Sequence, residues 1–236
     1  MKIMKQFVSN VKFAIKNIYE RPSIKFNFDY DAYWESKRGL NSNLSVFQKT
    51  RADIICNSLN NDDRILDIGS GDGSIALYIS QKAKCSILCT DFSEKSLALM
   101  NELCLEARKK SIFDDFSNLI ANEGINTITI LEVLEHITEP EERLMFFLKH
   151  ADKVIFSVPN SGFISHRIRL VLGKFPMQWR LNPSEHLRFW TLSDMRWWLR
   201  ELNITNYQIK CYEGIPLFNK IFPALFSRGM IVIITR

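Results

Sequence analysis

The stretch Ile65-Leu66-Asp67-Ile68-Gly69-Ser70-Gly71-Asp72-Gly73-Ser74 decides the fold. A short apolar run that ends near an Asp is typical of a buried parallel strand. Three glycines at a spacing of two follow it, and a helical pattern begins at Ser74. A strand, a glycine-rich turn and a helix in this order bring backbone amides close to a nucleotide-like ligand. The spacing is neither G-x-G-x-x-G nor that of a P-loop, and no Lys follows the last glycine, so a phosphate cradle is disfavoured.

The composition bounds the architecture and the compartment. The chain has 236 residues, of which 46% are hydrophobic and 24% charged, which is enough for one α/β domain with a full core. Its five cysteines are scattered without a C-x-x-C pair, which is typical of reduced thiols in a cytosolic protein. No apolar run is long enough to span a bilayer, and the N-terminus has no secretory signal. We therefore expect a cytoplasmic protein, with membrane association left open.

Residues 1–25 form a separate basic segment. They contain six Lys and Arg residues and one Glu, so their net charge of +5 equals that of the whole chain. Apolar residues recur at helical spacing up to Pro22, which predicts an amphipathic helix. The helix either lies on an anionic membrane surface or a partner, or covers the core of its own domain or a dimer interface. The predicted domain follows at 26–236.

Strand and helix patterns alternate after the glycine turn. The predicted strands are 64–68, 86–90, 111–113, 127–131 and 153–157. This alternation predicts a parallel sheet. Ligands of such sheets bind beyond the carboxyl ends of the strands, near the point where the strand order reverses.

Acidic residues follow two of these strands. Asp91 lies about 20 residues past the glycine turn, where a carboxylate binds ribose hydroxyls in nucleoside-binding folds. The alternative is that Asp91 only caps the helix that begins at Ser93. After the fourth strand, Glu132, Glu135 and His136 have the spacing i, i+3, i+4, which puts them on one side of a helical turn.

These motifs together resemble class I S-adenosylmethionine (SAM)-dependent methyltransferases. The resemblance implies a Rossmann-like, seven-stranded, mostly parallel sheet with an antiparallel last strand and helices on both faces. It also implies that SAM binds with its methionine portion at the glycine turn, its ribose at Asp91 and its adenine at Asp115, with Asp114 as the alternative. The cofactor-binding residues assigned in this way are Asp67, Gly69, Ser70, Gly71, Gly73, Asp91, Phe92, Asp115, Phe116 and Leu131.

Flanking residues resemble more specific groups. Arg51-Ala52-Asp53 and the segment 157–163 are similar to MetW-like methyltransferases, over about residues 51–236. The Glu-x-x-Glu-His segment with a later His186 before Phe-x-Trp-Thr resembles small-RNA 2′-O-methyltransferases, and the first segment also resembles ubiquinone-pathway enzymes. In the small-RNA enzymes these residues bind a divalent metal. A similar segment at 28–36, with Tyr33 and Trp34, lies over the cofactor or substrate in many small-molecule methyltransferases, or else packs at the sheet edge.

The candidate catalytic and metal-binding residues are Glu132, Glu135, His136 and His186. A metal such as Mg²⁺, Mn²⁺ or Zn²⁺ lowers the pKa of an acceptor hydroxyl, which is otherwise too high for attack on SAM at neutral pH. Two alternatives stay open: His136 acts as a general base without metal, or the segment is structural.

Residues 161–190 are predicted to be a substrate lid. They are basic and aromatic, which favours an anionic acceptor such as a phosphate, sugar nucleotide or carboxylate, unless the charges only solvate a helix. A net charge of +5 and the lack of an RNA-binding motif make nucleic acid a disfavoured partner.

The function predicted from the sequence is SAM-dependent O-methylation of a small polar or anionic acceptor. A sugar or phosphorylated intermediate of bacterial surface-polysaccharide biosynthesis fits the basic lid. The alternatives are a metal-dependent nucleic-acid 2′-O-methyltransferase and a MetW-like non-catalytic partner in methionine biosynthesis. A dinucleotide oxidoreductase is disfavoured by the glycine spacing. The sequence makes no prediction of the oligomeric state.

Overall fold

The computed structural model describes residues 2–20, 44–176 and 186–236, and its centre is a seven-stranded sheet. The strands are β1 (Arg64–Ile68), β2 (Ser86–Asp91), β3 (Glu106–Lys109), β4 (Thr127–Leu131), β5 (Lys153–Pro159), β6 (Tyr207–Gly214) and β7 (Ser227–Thr235). Their order is β3-β2-β1-β4-β5-β7-β6. The first five strands are parallel, and β7 is antiparallel to β5 and β6. The predicted fold class is confirmed.

Helices pack around this sheet. They are α1 (Lys2–Tyr19), α2 (Val46–Cys56), α3 (Ser74–Ala83), α4 (Glu94–Glu102), α5 (Ser117–Glu123), α6 (Pro140–His150), α7 (Ile164–Val171), α8 (Leu192–Glu201), α9 (Phe218–Ile221) and α10 (Pro223–Phe226). Side chains alternate between two cores along the buried strands. Leu66 and Ile68 of β1 share one core with Phe147 of α6, and Ile65 shares the other with Ile55 of α2.

The third strand differs from the prediction. It lies at Glu106–Lys109, not at 111–113, and three of its four residues are exposed. Charged side chains are usual on a strand at the edge of a sheet, so this strand lacks the apolar run on which the prediction depended. Residues 111–114 instead form a turn in which the backbone N–H of Ser111 donates to Asp114 Oδ2 at 2.9 Å.

The strand order reverses between β1 and β4. Because parallel strands end at the same edge, the loops after β1, β2 and β4 lie around one crevice at this point. This crevice is where the candidate active site is built.

Helix α1 is present as the sequence predicts, and it packs on α7 and on the end of β6. The guanidinium of Arg169 on α7 donates to the carbonyls of Asn17 and Glu20, each at 2.7 Å. The side-chain amide of Asn10 donates to the carbonyl of Gly214. None of the helices in the described ranges is long and apolar enough to cross a membrane.

Several sequence predictions fall outside the described residues. The boundary near residue 25, Pro22, and the segment of Tyr33 and Trp34 are among them. The predicted lid at 161–190 is described up to residue 176 and from residue 186. Its described part contains α7.

Candidate active site

The glycine turn after β1 has a backbone that requires glycine. Gly69, Gly71 and Gly73 have φ angles of 71°, 58° and 74°, a region that disfavours residues with a Cβ. A Cβ on Gly69 would lie 2.7 Å from Val133 Cγ2, and one on Gly73 would lie 2.7 Å from Met100 Cγ. Side chains of neighbouring segments therefore leave no room for a larger residue at Gly69 or Gly73.

Two hydrogen bonds hold this turn over the end of β2. The backbone N–H groups of Gly69 and Ser70 both donate to the carbonyl of Thr90, at 2.8 and 3.0 Å. The Ser70 hydroxyl donates to the carbonyl of Asp67 at 3.0 Å. Ser70 thus stabilises the turn as well as lying at the predicted cofactor site.

Asp91 lies at the end of β2 and joins the turn to the next helix. Its Oδ2 accepts from the backbone N–H of Gly71 at 3.0 Å, and its Oδ1 accepts from that of Ser93 at 2.9 Å. The carboxylate is buried, and burial raises its pKa. The cap of α4 is the Ser93 hydroxyl, which accepts from the backbone N–H of Ser96. Asp91 is therefore more than a helix cap, because it also orders the glycine turn.

We expect Asp91→Ala to weaken SAM binding by one to two orders of magnitude, about 1.4–2.8 kcal/mol. The substitution removes the predicted ribose acceptor and leaves the Gly71 N–H without its carboxylate. Calorimetry measures the affinity directly. The matched control is Asp72→Ala, which removes a carboxylate from the same turn that accepts only from the Ser74 N–H. Equal losses in the two variants would contradict the ribose assignment.

Asp67 lies beneath the turn, between two neighbouring strands. Its Oδ1 accepts from the Thr129 hydroxyl at 2.5 Å, and its carbonyl accepts from the Thr90 hydroxyl at 3.0 Å. Burial raises its pKa to about 6, although the Thr129 hydrogen bond opposes the shift. Near neutral pH the carboxylate is ionised, which suits the predicted place beside the methionine amino group.

The raised pKa of Asp67 predicts a pH-dependent stability. The native pKa of about 6 lies above the reference value of 3.8, so the native state binds more protons and stability falls as the pH rises from about 4 to about 6. Asp67→Asn should therefore raise the free energy of unfolding at about pH 7 by roughly 2–3 kcal/mol, and much less at about pH 4. Urea unfolding of the SAM-free protein tests this. The exposed Asp62→Asn is the control, and a gain independent of pH would contradict the assignment.

The residues predicted to bind adenine surround the turn after β3. Asp115 is exposed and accepts from the backbone N–H of Ser117 at 2.8 Å, and this hydrogen bond lowers its pKa. The ring of Phe116 is fully buried against Phe147, so only its backbone N–H fits the prediction. Phe92 is 54% exposed at the end of β2. The adenine site stays a prediction.

Leu131, the last residue of β4, is buried, and a second group of polar side chains follows it. Leu134–His136 forms a single 3₁₀ turn. The carbonyl of Glu135 accepts from the backbone N–H groups of Leu187 and Arg188, at 2.7 and 3.1 Å. This pairing brings the ring of His186 to 4.6 Å from that of His136, at an interplanar angle of 79°.

Glu135, His136 and His186 form the candidate chemical site. One ligand atom from each of them lies within 4.8 Å of the others. The Glu135 carboxylate is buried, and its Oε1 lies 3.9 Å from His136 Nε2, whose side chain is 34% exposed. Burial, and then the nearby His136, lower the pKa of His186 to about 3, so its imidazole is neutral at physiological pH.

Glu132 does not join this group, which corrects the predicted four-residue set. Its φ angle is 58°, so the helical spacing expected for residues 132–136 is interrupted at its first residue. Its Oε1 instead lies 2.9 Å from Arg51 Nη1 and accepts from the Ser157 hydroxyl at 2.9 Å. A non-glycine residue with a positive φ angle has a strained backbone conformation, and the surrounding contacts must hold it in place.

Arg51 is a site residue that the sequence reasoning used only for a resemblance. It projects from α2 and is buried, and its Nη1 also donates to the Ser157 hydroxyl at 3.3 Å. Burial alone lowers its pKa, but nearby Tyr212 and Glu132 outweigh burial and raise it. The sequence feature that could have identified Arg51 is a charged residue next to Ala52, on the face of the helix that is buried.

Comparisons with known proteins identify the family of the chain. A family model described as "Methyltransferase domain" matches residues 39–209. No protein of curated function matches the chain by sequence.

Solved structures show the same fold at low identity. A SAM-dependent methyltransferase from Archaeoglobus fulgidus is 16% identical, with a TM-score of 0.61 over 89% of this chain and 100% of that one. Magnesium protoporphyrin IX methyltransferase from Synechocystis, with bound SAH, is 14% identical, with a TM-score of 0.55 and all of both chains covered. The methyltransferase domain of bacterial CtHen1 is 20% identical, with a TM-score of 0.54 over 80% of this chain and 97% of that one.

Proposed function

This chain belongs to the methyltransferase-domain family, and from that membership we propose that it methylates an oxygen of a small polar or anionic acceptor. It is a SAM-dependent methyltransferase of the class I fold. The observation that supports oxygen as the acceptor atom is the group of Glu135, His136 and His186 beside the end of β4.

The residues around the glycine turn fit SAM. The turn has positive φ angles at Gly69, Gly71 and Gly73, and glycine in such a turn lets the backbone approach a ligand closely. The Asp91 carboxylate lies beside the turn, where it accepts from the backbone N–H groups of Gly71 and Ser93, and it is the proposed acceptor for the ribose hydroxyls of SAM. When bound, SAM supplies an electrophilic methyl group.

His136 is suited to act as the general base. Its side chain is 34% exposed, so it can meet a hydroxyl group in the crevice. In the proposed reaction the methyl group would pass from the sulfur of SAM to the acceptor oxygen, and SAH would leave. His136 would take the hydroxyl proton, and the Glu135 carboxylate would stabilise the resulting imidazolium. His186 is neutral, so its imidazole can orient the acceptor hydroxyl without adding charge.

Fewer basic side chains of the predicted lid are available to an anionic acceptor than its composition suggests. Arg169 is buried and bonded to α1, so it is not available to a substrate. Arg167 is exposed and donates one bond to the carbonyl of Gly162, which leaves its other N–H groups for an acceptor. A phosphate or carboxylate of a sugar intermediate is the chemistry we propose for Arg167.

Glu135, His136 and His186 also favour a second candidate function, that of a metal-dependent nucleic-acid 2′-O-methyltransferase. One carboxylate and two imidazoles are a donor set that suits Zn²⁺, or Mn²⁺ in preference to Mg²⁺. A bound divalent ion would lower the pKa of the acceptor hydroxyl. The likeness to the CtHen1 domain is one of fold, and the modest net charge of +5 argues for the small-molecule acceptor.

An SAH-release assay separates these functions. The acceptors are nucleotide sugars, phosphorylated sugars and a short RNA, each with and without a chelator, and Asp91→Ala is the control. The proposal expects SAH release with a small acceptor that survives chelation and is lost in the control. Release only with RNA and only with metal would favour the second candidate. SAM binding without release from any acceptor would favour the MetW-like role.

A further inference from the structure

Helix α1 exposes one edge of its apolar side to solvent, beside apolar residues such as Val11 and Ala14 that are partly or fully buried. Met4, Val8, Ile15 and Tyr19 are 68%, 44%, 51% and 70% exposed. They recur at helical spacing, so they share one face. Soluble domains rarely leave such a row of large apolar side chains uncovered.

The inward side of α1 is fixed by polar contacts. Asn10 and Asn17 are 5% and 3% exposed. The side chain of Asn10 bonds to the carbonyl of Gly214, and the carbonyl of Asn17 accepts from Arg169. Because these bonds tie the helix to two different parts of the domain, the row of Met4, Val8, Ile15 and Tyr19 stays directed outward.

Lysines accompany the exposed apolar row. Lys5, Lys12 and Lys16 are exposed on the same helix, and two acidic residues lie close to it: Glu20, 3.7 Å from Lys16, and Glu213, which accepts from the Gln6 side chain at 3.4 Å. An amphipathic helix with this combination of apolar and basic side chains binds an anionic lipid surface.

Exposed apolar side chains also lie at the end of α7, which bonds to α1, and in the segment after β6, whose last residue bonds to Asn10. Leu170, Val171 and Leu172, at the end of α7, are 54%, 86% and 53% exposed and follow Arg169 directly. Ile221 and Phe222, between β6 and β7, are 66% and 59% exposed. Exposed apolar side chains therefore occur on α1, on α7, which contacts α1, and on the segment between β6 and β7.

We propose that α1 and the adjoining end of α7 form a docking surface for an anionic lipid bilayer. A second copy of this chain is the weaker occupant, because a symmetric contact would oppose the two sets of lysines at close range. The family match begins at residue 39, so α1 lies outside the matched residues. The proposal is independent of the acceptor proposed above.

Docking would also bring the candidate chemical site near the bilayer. Phe175, just after α7, packs on Phe189 with ring centroids 5.4 Å apart. Phe189 in turn lies 6.4 Å from the ring of His186. A contiguous set of rings thus leads from the docking surface to the site.

Vesicle co-sedimentation of the full chain tests the proposal. Vesicles of phosphatidylcholine and phosphatidylglycerol in equal parts should bind the protein, and vesicles of phosphatidylcholine alone should bind it much less. Lys5→Gln/Lys12→Gln/Lys16→Gln should reduce the affinity roughly 100-fold, about fivefold for each lysine. Met4→Gln/Val8→Gln/Ile15→Gln should reduce it at least about tenfold through lost apolar burial.

The matched control is Lys84→Gln/Lys149→Gln/Arg200→Gln, which removes the same charge from exposed positions outside α1. It should bind as the wild type does, and circular dichroism should show the same helix content in all variants. Point substitutions are preferable to deleting α1, because deletion would expose the buried Arg169. Equal binding to both vesicle types, an equal loss in the control, or a dimer dispersed by the α1 variants without vesicle binding would overturn the proposal.

Discussion

Replacing Arg51 with methionine should destabilise the protein by about 3 kcal/mol. The variant leaves Glu132, whose side chain is 25% exposed, without the guanidinium 2.9 Å away. A partly buried carboxylate that loses its partner pays the desolvation penalty without compensation. Glu132 also has a positive φ that this contact helps to hold, so we expect SAM-dependent activity to fall as well. Urea unfolding measures the free-energy change.

Two further variants make this prediction specific. Arg51→Met/Glu132→Leu removes both partners and should recover much of the lost stability, because no charge is left unpaired. Lys82→Met breaks an exposed ion pair with Asp53 and should cost less than about 1 kcal/mol. If Arg51→Met costs no more than Lys82→Met, the buried network does not hold Glu132.

The sequence predicts those parts of the site that depend on local pattern. The turn of Gly69–Gly73 follows from a backbone that only glycine adopts easily, and Asp91 follows from its distance along one strand–helix–strand unit. Both features lie within one stretch of chain, so spacing alone is informative.

The parts that sequence reasoning missed depend on distant contacts. Arg51 and Ser157 are 106 positions apart, and no local pattern joins them. The role of Glu132 depends on one backbone angle that redirects its side chain. The third strand was predicted at the wrong position because this edge strand has no apolar face to recognise.

The orientation of α1 shows another limit of pattern reading. An apolar stripe is usually buried, so the sequence favours a helix whose apolar face covers the domain. In the structure Ala14 is buried together with Asn10 and Asn17, while Met4, Val8, Ile15 and Tyr19 are exposed. The Asn10 side chain donates to the carbonyl of Gly214, and the backbone carbonyl of Asn17 accepts from Arg169. Amphipathicity was predictable, but the choice of the buried face depends on tertiary hydrogen bonds.

Replacing His136 with glutamine should lower kcat by about 10²–10⁴-fold, with the affinity for SAM unchanged within a few-fold. His136 is a partly exposed imidazole of the candidate chemical site and the proposed general base, and the Asp91 contact predicted for SAM lies on another segment. Steady-state kinetics with the acceptor found by SAH release measures kcat, and calorimetry measures SAM affinity. His150→Gln is the control, because that imidazole bonds to the carbonyl of Phe146 within α6.

Comparison with His186→Gln decides how the site works. If His136 is a general base, losing His186 should cost less than losing His136, because His186 then only orients the acceptor. If the three residues hold a metal, both variants should lose activity to a similar degree, together with the bound metal that elemental analysis detects. A kcat of His136→Gln close to that of the wild type would contradict both mechanisms. The methyl acceptor would then be activated by other residues, and the Glu135–His136–His186 group would be structural.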